Sequence, residues 1–158
     1  EVDERYDPLK ATVAACRYLK RAYNKFGNWT LVAASYNRGM GGIERAIENQ
    51  QVDNYYDLFL NEETARYVFR ILAIKEIVEH PLKYGFRVNP QHLYSKEPLR
   101  YIEVDETIKD LVTFAKQHDV NYKLIKRHNP WLRDEKLTVK KGKQYKIAIP
   151  ERIADLQN

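Results

Sequence analysis

Ala11, Ala15, Tyr18, Leu19, Ala22, Tyr23 and Phe26 recur at spacings of three and four, the apolar stripe of an amphipathic helix. Asp7-Pro8 opens that helix, with Asp7 as N-cap and proline at the first helical position, where its missing N–H costs nothing. Gly27 closes it, in the place where a left-handed C-cap wants glycine. Asn28 then caps a second short helix carrying Trp29, Leu31, Val32, Ala33 and Ala34, which stops near Gly39. Ile43, Ala46 and Ile47 predict a third. Asn61, Glu62 and Glu63 begin a longer helix, with two acids in the turn that the helix dipole favours. Val68, Ile71, Leu72, Ile74, Ile77 and Val78 give it a broad apolar face that ends before Pro81.

Helical periodicity fades where Pro81, Pro90 and Pro98 fall close together. Beyond them, Tyr101-Ile102-Glu103-Val104 alternates like a strand, and so does the stretch from Gln144 to Ile149, which Pro150 closes. Between the two, Ile108, Leu111, Val112 and Ala115 predict one helix. Tyr122, Leu124 and Ile125 predict another, ended by Asn129-Pro130. The expected organisation is therefore mainly α: a helical domain over 1–88, a linker over 89–100, a β-α-α-β module over 101–150 with antiparallel strands, and a tail over 151–158. No internal repeat is present.

Composition narrows the choice of function. At 158 residues, 44% hydrophobic and 31% charged, the chain is globular and long enough for one ordinary domain or two small ones. No apolar run approaches the ~18–20 residues of a membrane span. Cys16 is alone, so no intrachain disulfide can form, and it reads as a small buried residue of an Ala-rich helix. His80, His92, His118 and His128 lack metal-ligand spacing, and neither a phosphate loop nor a nucleophile-elbow motif occurs, so no metal or other cofactor is expected. The net charge of +5 lies mostly after residue 95. Lys123, Lys126, Arg127, Arg133, Lys136, Lys140, Lys141 and Lys143 would suit nucleic acid, but no DNA- or RNA-reading motif accompanies them. A solvated face, or one that attracts an anionic envelope polymer, accounts for the charge better, and no nucleic-acid partner is expected. Residue 1 is Glu without a leader, as in a processed protein or a piece of a longer one.

Two stretches carry a resemblance. AASYNRGMGGI, Ala33 to Ile43, resembles the A-x-Y-N-x-G-x-G-x-V signature of the soluble lytic transglycosylase (lysozyme-like) catalytic domain. DERYDP (Asp3 to Pro8), FGNW (Phe26 to Trp29) and NEETARYVFRILA (Asn61 to Ala73) follow the same family's order, most nearly that of the membrane-bound lytic murein transglycosylase D group. The segment from Tyr101 to Pro150 resembles a degenerate LysM module, with HNPWL at His128 to Leu132 and Gly142 before the last strand. There Asp105-Glu106-Thr107 replaces the hallmark Gly-Asp-Thr. Ser35 stands where the first family has alanine, and Phe69 where it has proline.

The resemblance implies a partial lysozyme-like fold and cleavage of the β-1,4 bond of peptidoglycan glycan strands. In the family one glutamate protonates the leaving oxygen, the sugar's own C6 hydroxyl attacks, and a 1,6-anhydro product forms. That glutamate belongs to a Glu-Ser pair upstream of the DERYDP equivalent, and no Glu-Ser pair occurs in these 158 residues. The chain is thus expected to hold no catalytic residue of its own and to be inactive alone. Tyr36, Asn37, Glu63, Thr64 and Tyr67 are expected to support catalysis and bind substrate. Glu63 is a poor substitute acid, because the helix N-terminus beside it favours its ionised form. The bare residues equally allow a phenol satisfied in the core and an amide capping a turn. For the module, the implied glycan groove comprises Asp105, Glu106, Thr107, Asn129, Pro130 and Trp131, with simple packing as the alternative reading of Trp131. Trp29 is expected in the core, Tyr55-Tyr56 is open, and Gly39 and Gly41 are read as positive-φ glycines.

The implied location is the periplasm or cell envelope, with attachment to the outer membrane through a region this chain does not contain. Half a catalytic domain would also leave apolar faces at Ala11/Ala15 and Ile71/Ile74, covered by the missing N-terminal segment or by a dimer partner. The competing expectation is a non-enzymatic glycan-binding protein with a lysozyme-like remnant.

Overall fold

In the computed structural model, which describes residues 1–151, the capping residues act where the sequence places them. The Asp7 carboxylate accepts from the backbone N–H groups of Leu9 and Lys10, and α1 runs Pro8–Phe26 to Gly27 at φ +63°. Asn28 accepts from Thr30 and Leu31 and starts α2 (Trp29–Arg38). Gly39, at φ +84°, ends α2 and begins α3 (Met40–Gln50), a reversal that a Cβ would strain. Gly41 lies inside α3 without positive φ, contrary to expectation.

The long helix predicted from Asn61 is interrupted. Glu62–Ala65 form α4 and Tyr67–Glu79 form α5, with Arg66 as a turn between them. The cause is Tyr55, whose buried hydroxyl donates to the Ala65 carbonyl at 2.6 Å and lies 3.0 Å from that of Thr64. The backbone N–H of Val68 faces the same oxygen. A side chain inserted into the i→i−4 ladder breaks it at that point.

The chain divides into two compact units, one of residues 13–93 and one of residues 1–12 with 94 onward. The first is helical, and its core gathers Leu31, Ala34, Ile43, Ala46, Tyr55, Leu58, Leu60 and Val68. Two expectations fail in it. Trp29 is 60% exposed and stacks on Tyr23 at 4.5 Å, because its position at the start of α2 turns the indole outward. Cys16 is exposed, since α1 buries only Ala22. Ala11 and Ala15 are half-buried, whereas Ile71 and Ile74 are exposed.

The second unit holds β1 (Leu99–Val104), α6 (Leu111–Gln117), α7 (Tyr122–His128) and β2 (Tyr145–Pro150). The strands pair antiparallel, from Leu99 opposite Pro150 to Val104 opposite Tyr145. Asp110 and Asn121 cap the two helices. Ile108 stays outside α6 and instead bridges Leu137. Leu111, Ile125, Leu132, Leu137, Ile147 and Ile149 are fully buried at its centre. The mainly helical architecture with a small two-stranded sheet is the expected class. Within the expected tail only Glu151 is described; residues 152–158 lie outside the described residues.

Candidate functional site

The last turn of α2 and the first turn of α4 meet through side chains that the sequence singled out separately. Asn37 donates from Nδ2 to the Glu63 carboxylate at 3.1 Å, and its Oδ1 accepts from the Thr64 hydroxyl at 2.8 Å. Both faces of the amide are used, which fixes its orientation. One residue along, the Arg38 guanidinium donates to Asn61 Oδ1 at 2.7 Å. Gly42 makes room for that side chain, since a Cβ there would lie 2.9 Å from Arg38 Cγ.

Beneath this corner the supports are buried. Thr64 and Ser35 are almost inaccessible, and the Ser35 hydroxyl donates to the Val32 carbonyl at 2.7 Å. Serine is therefore satisfied at this buried position. The Tyr18 hydroxyl donates to the Ser35 carbonyl at 2.6 Å, and its ring meets Tyr36 edge-on at 5.6 Å. Tyr36 itself is about half exposed, Asn37 and Tyr67 are half-buried, and Glu63 is exposed. The corner is open to solvent. Burial pushes the Tyr55 phenol up, which suits its role as a structural donor. Tyr18 and Tyr55 were not foreseen as supports. The sequence signal was the chain's high tyrosine content, twelve in 158 residues.

A cavity of about 590 Å³ in the same unit lies elsewhere, between Lys25, Phe26, Leu31, Glu44, Ile47 and Asn54. Neither Tyr36 nor Asn37 lines it.

In the second unit the six expected groove residues separate. Asp105, Glu106 and Thr107 are exposed and line a cavity of about 600 Å³ floored by Phe114, with Gln117 and His118 on its wall. Burial and the neighbouring Arg100 charge hold the His118 imidazole below its ordinary range. Asn129 and Trp131 are in the core instead. Asn129 donates to the carbonyls of Ile125 and Ala148 and accepts from the Ala148 N–H, so all of its amide is spent tying α7 to β2. Trp131 stacks on Tyr145 at 5.7 Å. Pro130 between them is half-buried. Among the described residues, no group of three or more His, Cys, Asp or Glu side chains is placed to hold a metal ion.

Residues 1–59 match the family model of the transglycosylase SLT domain, and residues 100–153 match that of the soluble lytic transglycosylase C-terminal LysM-like domain. The chain is also 26% identical, over 97% of its length, to the membrane-bound lytic murein transglycosylase D of Escherichia coli strain K12, and equally to that of E. coli O6:H1. The two matched segments are thus similar to separate parts of soluble lytic transglycosylases. It spans about a third of the length of these curated relatives. The SLT match takes in Tyr36 and Asn37, while Glu63, Thr64 and Tyr67 fall between the two matched segments. The LysM-like match covers both strands and both helices of the second unit except for Leu99. Among the described residues, no helix is long and apolar enough to cross a membrane.

Proposed function

We propose that this chain is part of a peptidoglycan lytic transglycosylase that cleaves the β-1,4 bond between N-acetylmuramic acid and N-acetylglucosamine. The observation that carries this reading is the solvent-open corner where Asn37 bonds both Glu63 and Thr64 beside the exposed ring of Tyr36. In the reaction a carboxylic acid gives its proton to the glycosidic oxygen as the bond to C1 breaks. The same carboxylate then takes the proton of the C6 hydroxyl as O6 closes on C1, leaving a 1,6-anhydromuramic end without consuming water. The proton donor is supplied by polypeptide outside this chain. Tyr36, Asn37 and Tyr67 provide cleft wall, with Glu63 and Thr64 holding Asn37 in register. The LysM-like unit contacts glycan at the Asp105–Thr107 lip of its cavity. The apolar face of α5 is covered by the segment bearing the donor or by a second copy. The protein works in the periplasm or cell envelope, attached to the outer membrane through a further region.

Incubation of the isolated chain with purified sacculi is expected to release no 1,6-anhydromuropeptides. The complete protein is expected to release them, and to lose at least tenfold in rate on Asn37→Ala with its fold intact. Turnover by the isolated chain would overturn the assignment of the proton donor. An inactive complete protein that still sediments with sacculi would instead establish the second reading, a glycan-binding protein with a lysozyme-like remnant.

A further inference from the structure

Glu1, Val2 and Asp3 alternate acid, apolar, acid, so an extended backbone turns Val2 to one side and both carboxylates to the other. The second unit uses both sides. Val2 packs against its core and bridges Leu132 in antiparallel pairing. The Asp3 N–H donates to the Trp131 carbonyl at 2.8 Å, and the Arg133 N–H donates to the Glu1 carbonyl at 2.7 Å. The Glu1 carboxylate accepts from the backbone N–H of Thr138 at 2.7 Å and from its hydroxyl at 3.0 Å, with Lys136 Nζ 3.6 Å away. Further along, the Arg133 guanidinium lies over the Tyr6 ring at 4.2 Å, and Lys10 Nζ lies 5.9 Å from the Trp131 ring. Backbone pairing, an apolar contact and a charged anchor therefore all converge on one stretch of loop.

We propose that the 131–138 edge of the LysM-like unit is a strand-docking surface, and that its occupant is residues 1–6 of the same chain. The segment acts as a strap. It satisfies the backbone groups of Trp131 and Arg133, while Leu137 further along the same edge pairs with Ile108, and it helps to keep Trp131 and Leu132 out of solvent. The unit is then not a free-standing LysM-like module, because its covering strand comes from the segment that matches the SLT domain. The strap itself does not depend on whether the unit binds glycan.

Amide hydrogen exchange on the full chain tests this directly. The Arg133 and Thr138 amides are expected to be protected, and Val2→Asp is expected to speed both at least tenfold. The β1–β2 ladder amides should hold their rates. In a Trp29→Phe background, acrylamide should quench Trp131 poorly in the otherwise wild-type chain and several-fold better with Val2→Asp. A synthetic peptide of residues 1–10 should restore protection of both amides in the variant. Open-loop exchange at Arg133 and Thr138 in the wild-type chain, or unchanged rates in Val2→Asp, would overturn the strap. Should Val2→Asp unfold the unit, the double change Glu1→Ala/Tyr6→Ala alters only exposed contacts and must raise the same two rates. Loss of glycan binding with these amides protected would count against the carbohydrate reading alone.

Discussion

Two side chains show how much one residue can decide in this chain. Asn129 has no accessible surface, and its amide makes three hydrogen bonds to the backbone of α7 and β2. Replacing it with alanine leaves the Ala148 carbonyl and N–H buried without their partner, while the Ile125 carbonyl keeps its bond from the backbone N–H of residue 129, so we expect Asn129→Ala to destabilise the second unit by about 2–3 kcal/mol in urea unfolding. Asn129→Asp should be worse, since a carboxylate oxygen would then face those two carbonyls. Glu1 sets a pH dependence. The Thr138 backbone N–H first, then its hydroxyl, hold the Glu1 carboxyl below its ordinary 4.5, with Lys136 adding to the effect and burial opposing it. A depressed carboxyl stabilises the folded form above that ordinary value and loses its effect as pH falls through the lowered one. Asp3, held down to about 2 by Arg5, stays ionised across that window and does not confuse the reading. The Thr138 protection factor is therefore expected to fall as pH drops below 4.5, and to become pH-independent in Glu1→Gln.

Elements in this fold begin and end on local chemistry, and most of that chemistry is visible in the sequence. Asp7 and Asn28 cap the helices that the sequence assigns them, and Asp110 and Asn121 cap α6 and α7 in the same way, because a short polar side chain meets orphan N–H groups within a few residues. What the sequence does not show is where a distant side chain intervenes. The interruption between α4 and α5 comes from Tyr55, ten residues before Ala65, whose hydroxyl takes a carbonyl that a continuous helix would use. Tyr55→Phe removes that bond and leaves the ring in place. We expect a loss of about 1–2 kcal/mol and closer continuity of α4 with α5, read from the exchange of the Val68 and Phe69 amides. Legibility of the candidate site follows the same division. Tyr36 and Asn37 stand out through a contiguous signature, and the bonds from Asn37 to Glu63 and Thr64 join segments that the sequence flagged separately. Trp131 and Asn129 looked like groove residues because they follow a helix end. The structure spends them on stacking and on backbone bonds that no spacing rule reports.

At the scale of the whole molecule, the outstanding feature is apolar surface left open in the helical unit. Of the residues in α5, only Val68 is buried. Ile74 and Val78 are 62% and 70% exposed, with Phe69, Ile71 and Leu72 about half exposed on the same helix. A helix apolar on several sides is ordinarily enclosed by other elements, and a monomer seldom leaves so much hydrocarbon in water. Each aliphatic side chain fully withdrawn from solvent contributes roughly 1.5–3 kcal/mol, so a few of them supply a strong drive toward any surface that can cover them. The isolated chain is therefore expected to bind a hydrophobic dye and to self-associate with rising concentration in sedimentation velocity. The double change Ile74→Glu/Val78→Lys should suppress both effects. Because neither side chain is buried, it should move folding stability by no more than about 0.5 kcal/mol. In the complete protein the same pair is expected to behave differently. If the segment bearing the proton donor lies on α5, both charges become buried and unpaired, and the complete protein should lose several kcal/mol of stability along with its turnover. An isolated chain that stays monomeric and dye-free at all concentrations would show that α5 needs no cover, and would remove this structural reason for placing further polypeptide against it.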